Sequence, residues 1–453
     1  MADVVIVGAG PAGIRAAERL VSRGISPVIV DEGQRPGGQA YRTPSSDLVL
    51  DMDSLLGSEA IKYRRLHDIF GKLRTSVDYR SRTTAWGVFD GKLYTQGPNG
   101  NGIVPFDALI LATGATDRIL PIPGWTRPGV FTLGGAQVLL KDQGCLIGRR
   151  VVFCGSSPLL YLAALQYKKM GCEIAAVLDT SSLQDKALAA GNLASNVPTL
   201  LRGLGYMSRL KSARAPMKYG VRLLAFEGDQ SVSSVVYTQG DNPPQRIECD
   251  AVAYGFGLKP ETQLAELAGA KLTFNATFRQ WLPETDAYGR AARGLYLAGD
   301  GAMIGGADAA ELSGTIAAAA VLNDLGYSTS GPELFKMRRR LSRLRRFQRG
   351  LAQAFAWPVH EVSRISDDTT LCRCENVKVG ELRQSLALDL PPDDINRAKA
   401  FTRCGMGRCQ GRFCGLAAAE ITAAASGVPL ERIGYLRAQA PVKPLAITPA
   451  TEA

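Results

Sequence analysis

Histidine is nearly missing from this chain: 453 residues carry two, His67 and His360. His67 lies in KYRRLHDIF, a helical stretch, and reads as a packing or surface residue. Neither histidine sits in a motif that suggests a general base. No apolar run reaches the ~18–20 residues that a membrane span needs. The opening MADVVIVGAG has no basic segment before its apolar run, which argues against a signal peptide. A Cys-x4-Cys pair after the first strand–turn–helix unit is also lacking, which disfavours a disulfide reductase.

What is present fits a packed, multidomain protein. Apolar residues make up 46% and charged residues 21%, a balance that excludes wholesale disorder. At roughly 100–200 residues per domain, two to four domains are expected. The net charge of +11 is partly local, in KMRRRLSRLRRFQR at 336–349. No aromatic-and-basic platform accompanies that run, so a nucleic-acid partner is not expected. A solvated basic helix in a linker is the plainer reading, with a docking surface for an acidic partner as another.

Residues 3–7, DVVIV, form a short buried strand, followed by Gly8-Ala-Gly10-Pro-Ala12-Gly13, an amphipathic helix and a second strand, PVIVD. In this context the glycine fingerprint has a mechanism. Gly8 permits the tight turn, Gly10 lets backbone approach a pyrophosphate, and Gly13 allows close helix–strand packing. The helix N-terminus faces the phosphates. Asp31 ends the second strand, where its carboxylate can accept the adenosine ribose hydroxyls; the adjacent Glu32 can substitute. Three further segments point to FAD rather than NAD. Gly37-Gly38-Gln39 follows the acid, Ala112-Thr113-Gly114 follows the strand DALIL, and GLYLA-Gly299-Asp300 is a strand ending in an acid suited to a ribityl chain. Gly305-Gly306-Ala307 then opens a small-residue helix. Over about residues 1–325 the sequence resembles the two-dinucleotide-binding, glutathione-reductase-like flavoproteins, which implies an α/β fold.

A second strand–turn–helix–strand pattern starts at Arg150. An intact nicotinamide site would have glycine at 155, 157 and 160, but this chain has Gly155, Ser157 and Leu160. Asp179 stands one place beyond the expected acid position, Leu178. The fold is expected to persist there without productive NAD(P)H binding. A degenerate but working site is the competing reading.

Of nine cysteines, Cys145, Cys154, Cys172 and Cys249 are scattered, and the other five fall between Cys372 and Cys414. Such clustering suggests metal rather than disulfides. Cys372-x-Cys374 and Cys409-x4-Cys414 could each bring two thiolates to one iron, and Cys404 and Cys409 share the x4 spacing. Four thiolates suit zinc or a [2Fe–2S] cluster; a C-x-C pair fits zinc ribbons poorly. The segment resembles the bacterioferritin-associated-ferredoxin-like [2Fe–2S] domain. That resemblance implies ligands at Cys372, Cys374, Cys409 and Cys414, with Cys404 spare; Cys404 in place of Cys414 is the alternative.

The expected order is an FAD domain (1–118), an inserted degenerate nucleotide domain (119–284), an FAD return segment (285–330), a basic linker (331–366) and the [2Fe–2S] domain (367–453). With Pro123-Gly-Trp-Thr-Arg-Pro-Gly it resembles, over nearly the whole chain, the FAD-dependent alpha subunits of heteromeric opine and amino-acid dehydrogenases, of the octopine and nopaline oxidase, D-hydroxyproline dehydrogenase and hydrogen cyanide synthase types. The resemblance implies an electron-transfer subunit in the oxidation of a secondary amine, opine or imino acid. It implies a D-amino-acid-oxidase-like beta subunit carrying the substrate site, room for a small gamma subunit, and a respiratory electron acceptor. The implied location is cytoplasmic, or peripheral at the inner membrane through a partner. A stand-alone NAD(P)H-dependent reductase and a non-enzymatic cluster-bearing scaffold are the rival readings.

Overall fold

The computed structural model describes residues 3–45, 47–329 and 331–447; residues 448–453, the end of the expected C-terminal domain, lie outside it. The first unit runs β1 (Val4–Val7), α1 (Pro11–Val21) and β2 (Val28–Val30): two short, wholly apolar runs of a buried parallel sheet flank a helix with apolar residues at 3.6 spacing. Pro11 at the first helical position has its φ preset for α1 and gives up only an N–H that has no partner within the helix. β3 (Asp78–Arg80) extends the sheet beyond β2, and β4 (Ala108–Leu111) lies on the other side of β1.

A second parallel sheet follows, from β5 (Val130–Thr132), α2 (Leu133–Gln143), β6 (Arg150–Gly155), α3 (Pro158–Lys169), β7 (Glu173–Asp179), β8 (Met217–Tyr219) and β9 (Ala251–Gly255). The chain then returns to the first sheet through β10 (Arg290–Ala292) and β11 (Leu295–Leu297), and α4 (Ala307–Asp324) packs along α1. The strand orders are β10-β11-β4-β1-β2-β3 and β8-β7-β6-β9-β5. Each order reverses beside the first strand of its βαβ unit, β1 or β6, so each sheet opens a crevice at the carboxyl ends of its strands.

The two halves are joined by an antiparallel pair, Ala115–Asp117 against Leu258–Pro260. Residues 264–270, within the span expected for the inserted domain, pack through Leu264, Ala265 and Ala270 into the core of the first sheet.

The basic run is a helix, α5 (Gly331–Ala354), and only one of its faces is solvated. Leu341, Leu344, Phe347, Gly350 and Ala354 turn inward at helical spacing, against α4 and against Ala189 and Leu193. The C-terminal domain contains α6 (Gly415–Ser426), and its apolar residues form one continuous core with the second sheet, from Ile119 and Trp125 to Ile421 and Ile433. The indole of Trp125 donates to the Thr370 carbonyl at 2.5 Å across that junction. Among the described residues no helix is long and apolar enough to cross a membrane.

Candidate functional site

The first crevice is built from bare backbone. Gly8 has φ +104°, and a Cβ there would lie 2.3 Å from the Ala112 carbonyl oxygen. A Cβ on Gly13 would lie 1.8 Å from the Gly8 oxygen, so α1 can approach β1 only through glycine. Gly38 stands over Gly10: its Cβ would come 2.9 Å from the Gly10 Cα. Ala12 meets Gly299, where an added Cβ would lie 2.9 Å from the Ala12 Cβ, and Gly301 abuts Thr113 and Gly114. The structure therefore brings Gly8, Gly10, Ala12, Gly13, Gly38, Thr113, Gly114, Gly299 and Asp300 together around one groove. Gln39 is exposed at its edge, and its carbonyl faces Lys141 Nζ at 3.5 Å.

The two acids after β2 differ. Asp31 accepts from the Ala9 amide and, at 2.6 Å, from the Gly33 amide, which ties it to the glycine turn; burial raises its pKa. Glu32 is exposed and pairs with Lys443 at 2.7 Å. Asp300 Oδ1 accepts from the Gly305 and Gly306 amides at 2.8 and 3.0 Å, and burial raises its pKa as well. The groove's residues fit a bound FAD: glycine backbone lines it where phosphates need close approach, and Asp31 and Asp300 are each held in place by backbone amides. The Nε atoms of Arg35 and Arg42 and the Tyr79 hydroxyl are buried without hydrogen-bond partners among the described residues. His67 is a packing residue, its ring bonded to the Tyr41 carbonyl at 2.8 Å, and burial lowers its pKa.

All five C-terminal cysteines share one region, but not in the pairs that sequence neighbours suggest. Cys372, Cys404 and Cys414 are buried with their sulfurs within 4.8 Å of one another. Cys374 instead has Cys409 as its neighbour, both thiols free. Cys404, expected as the spare, therefore stands in the trio. The Cys404 and Cys414 thiols, and then the Gly405 and Glu375 amides, point at Cys372 and hold it far below the ordinary thiol range. Cys404 and Cys414 are pushed up, above all by Cys372. A Cβ on Gly407 would lie 2.4 Å from the Cys374 Cβ, so this loop folds only around glycine. Buried thiols that receive backbone N–H bonds are chemically suited to a thiolate-bound metal centre.

Residues 2–321 match the pyridine nucleotide-disulphide oxidoreductase family, and residues 371–451 match the sarcosine oxidase A3 domain. The chain is 37% identical to the A-type subunit of the opine oxidase of Agrobacterium tumefaciens (strain Ach5), over 98% of this chain and 90% of that one. It is 30% identical to the HcnB component of the hydrogen cyanide synthase of Pseudomonas protegens, over 97% and 96%. This chain belongs to the pyridine nucleotide-disulphide oxidoreductase family, in the group of the A-type opine oxidase subunits. It is thus an FAD-dependent oxidoreductase with the glutathione-reductase-like α/β fold. The crystal structure of L-proline dehydrogenase from P. horikoshii shares that fold, with a TM-score of 0.72 at 20% identity over 98% of this chain and 78% of that chain.

In this oxidoreductase the two sites are bridged by residues that sequence reading missed. Thr113 Oγ1 donates to the Glu261 carbonyl at 2.7 Å, and the Glu261 amide donates to the Gly114 carbonyl at 3.0 Å. The Glu261 carboxylate takes both forks of Arg412, whose Nη1 also reaches the Cys409 carbonyl at 3.3 Å. The only sequence signal was an arginine placed between two clustered cysteines. The C-terminal tail adds a second tie: Arg412 donates to the Val442 carbonyl at 2.6 Å, and the Val442 amide donates to the Trp86 carbonyl at 3.0 Å.

Proposed function

We propose that this chain is the electron-transferring subunit of a heteromeric dehydrogenase that oxidises a secondary amine, opine or imino acid. FAD would lie on Gly8, Gly10, Ala12 and Gly13, with Asp31 toward the ribose and Asp300, Thr113, Gly114, Gly38 and Gln39 around the flavin half. Glu32, engaged by Lys443, is the secondary candidate for the ribose. Four of the five clustered cysteines would hold a [2Fe–2S] cluster, with Cys372, Cys374, Cys409 and Cys414 as the favoured set. The family relatives named as oxidase or synthase subunits support a partner; a D-amino-acid-oxidase-like beta subunit would carry the substrate site, with a small gamma subunit as a further component. A respiratory acceptor would take the electrons, in the cytoplasm or at the inner membrane surface through a partner.

The observation that carries this reading is the direct link between the two sites. Thr113, Glu261, Arg412 and the Cys409 loop form one hydrogen-bonded chain through buried protein. A flavin takes two electrons together and an iron–sulfur centre takes one, so the pair would turn a two-electron oxidation into single-electron steps. What the protein supplies is placement: Gly10 would expose backbone to phosphate, Asp31 would meet the ribose and Asp300 the flavin half, and Arg412 holds the cysteine loop to Glu261, just after the strand Leu258–Pro260.

The test is to co-express the chain with its oxidase-like neighbour, purify anaerobically, and measure FAD, iron and acid-labile sulfide before screening opines and imino acids with an artificial dye. Substrate-dependent dye reduction by material holding both cofactors is expected. Colourless material lacking iron and sulfide would refute it.

A further inference from the structure

The second crevice should be open if it serves a dinucleotide, and it is not. Its floor is the β6–α3 turn, Gly155-Ser156-Ser157, with Asp179 at the end of β7 and Phe256 just after β9. Gly155 keeps φ +124°, because a Cβ would lie 2.0 Å from the Gly255 carbonyl oxygen as β6 and β9 close together. The strand geometry of a nucleotide site is thus retained. What lies over it is the chain itself.

Beyond α5, residues Phe355-Ala356-Trp357 run across the carboxyl edge of this sheet. Ser156 Oγ donates to the Ala356 carbonyl at 3.2 Å, so the turn that would cradle phosphate holds a peptide instead. Phe355 packs edge-on to Tyr161 of α3, with ring centroids 6.4 Å apart, and Lys186 Nζ lies 5.4 Å from the Phe355 ring centroid. On the other side Trp357 meets Phe256 edge-on at 5.8 Å and stacks under the Arg118 guanidinium at 3.9 Å. The acid nearest the expected ribose position is spent as well. Asp179 is fully buried; its Oδ1 accepts from the Ser181 amide and hydroxyl at 2.8 and 2.6 Å, and its Oδ2 from the Tyr161 hydroxyl and from Lys186 at 2.6 Å.

We infer that residues 355–357 are a built-in occupant of the second dinucleotide crevice, so that NADH and NADPH are excluded and the crevice serves instead as the anchor of the cysteine-bearing domain. The anchoring half follows from Arg118. Under Trp357 its two terminal nitrogens donate to the Phe278 and Arg279 carbonyls at 3.0 and 2.9 Å. Arg279 in turn grips Glu420 of α6 at 2.6 and 2.8 Å. The strap, the second sheet and α6 are therefore one packed unit.

This deepens the reading that electrons do not enter from nicotinamide, but its test is separate from the substrate screen and needs no cluster. With the FAD-loaded chain, NADH and NADPH are titrated anaerobically while hydrogen exchange is followed at residues 155–160. No saturable bleaching of the flavin and no added protection are expected; saturable protection of those amides would overturn the proposal. In parallel, Ser156→Cys is made alone and together with Phe355→Ala/Trp357→Ala, and labelling at position 156 is read by peptide mass spectrometry. Because labelling follows the population of the open form, it should quicken about tenfold or more once the strap is cut back. Equal labelling rates in the two backgrounds would also overturn it. If the trimmed variant does not fold, the exchange experiment on the native strap still decides.

Discussion

Glu261 and Arg412 stand 151 positions apart and meet as a buried two-point ion pair, at 2.7 and 2.9 Å. Each is less than one-tenth exposed. Burial alone would raise the Glu261 pKa, but the Arg412 charge and hydrogen bonds outweigh it and hold the carboxyl below its usual range. Removing one partner of a buried pair leaves the other charge uncompensated, at a cost of about 3–5 kcal/mol. Arg412→Ala and Glu261→Ala should each lower unfolding stability by that order. Replacing both with methionine should recover much of the loss. A single variant losing under about 1 kcal/mol in denaturant unfolding would show that the pair is not buried in solution.

The same pair sets a pH dependence. A carboxyl whose folded pKa is depressed adds stability that is fully present above its unfolded value, near 4.5. That stability is lost as pH falls through the folded value. Between neutral pH and 4.5 the difference between the native chain and Glu261→Gln should stay flat, then shrink as pH falls further. A difference that grows on acidification would contradict the assignment.

Lys141 is the opposite case. It sits on α2, buried, facing the Gln39 and Ala40 carbonyls at 3.5 and 3.4 Å, and burial pulls its pKa down to about 8. The unfolded chain binds this proton more tightly, so the contribution of Lys141 to stability should rise with pH from about 8 to about 10.5. Thermal unfolding of Lys141→Met against the native chain should show that slope vanish. Parallel pH profiles of the two proteins would rule the assignment out.

Much of this was legible in the sequence, and the boundary of legibility has a physical basis. That Gly8, Gly10, Gly13 and Asp31 meet at one turn was readable because a βαβ unit compresses its turn into one short stretch. The cysteine cluster was readable because thiols at such spacing are rare without metal. The arrangement within it was not, since Cys374 lies beside Cys409 through a loop whose path depends on Gly407 making room. Glu261–Arg412 and the Phe355–Trp357 strap were silent because contacts across 100 residues or more leave no periodic trace. Ser157 and Leu160 raised the expectation of an altered phosphate cradle, yet nothing in the local pattern said that Trp357 would pack against Phe256 and Arg118.

In the proposed cluster, Cys404 competes with Cys414 for a ligand place. Cys409 is the neighbour of Cys374, while Cys372, Cys404 and Cys414 lie together; a four-thiolate cluster that used Cys374 and Cys409 would need two of those three sulfurs. If the favoured set holds, Cys404→Ala keeps iron and sulfide at the native level, and Cys409→Ala and Cys414→Ala lose them. Iron retained in Cys414→Ala but lost in Cys404→Ala would reverse the assignment.

The two acids after β2 should separate in FAD retention. Asp31 is fixed by the Ala9 and Gly33 amides, which would hold its carboxylate ready for the proposed ribose contact. Glu32 is turned outward to Lys443. A hydrogen bond to a charged group is worth about 1.5–3 kcal/mol, so Asp31→Ala should weaken FAD binding roughly 10–100-fold. Glu32→Ala loses an exposed ion pair, worth at most about 1 kcal/mol, and should change affinity by no more than about fivefold. Flavin released on desalting, followed by its fluorescence, reads both. A larger loss for Glu32→Ala than for Asp31→Ala would move the ribose contact one residue along the chain and place Lys443 and the C-terminal tail against the cofactor.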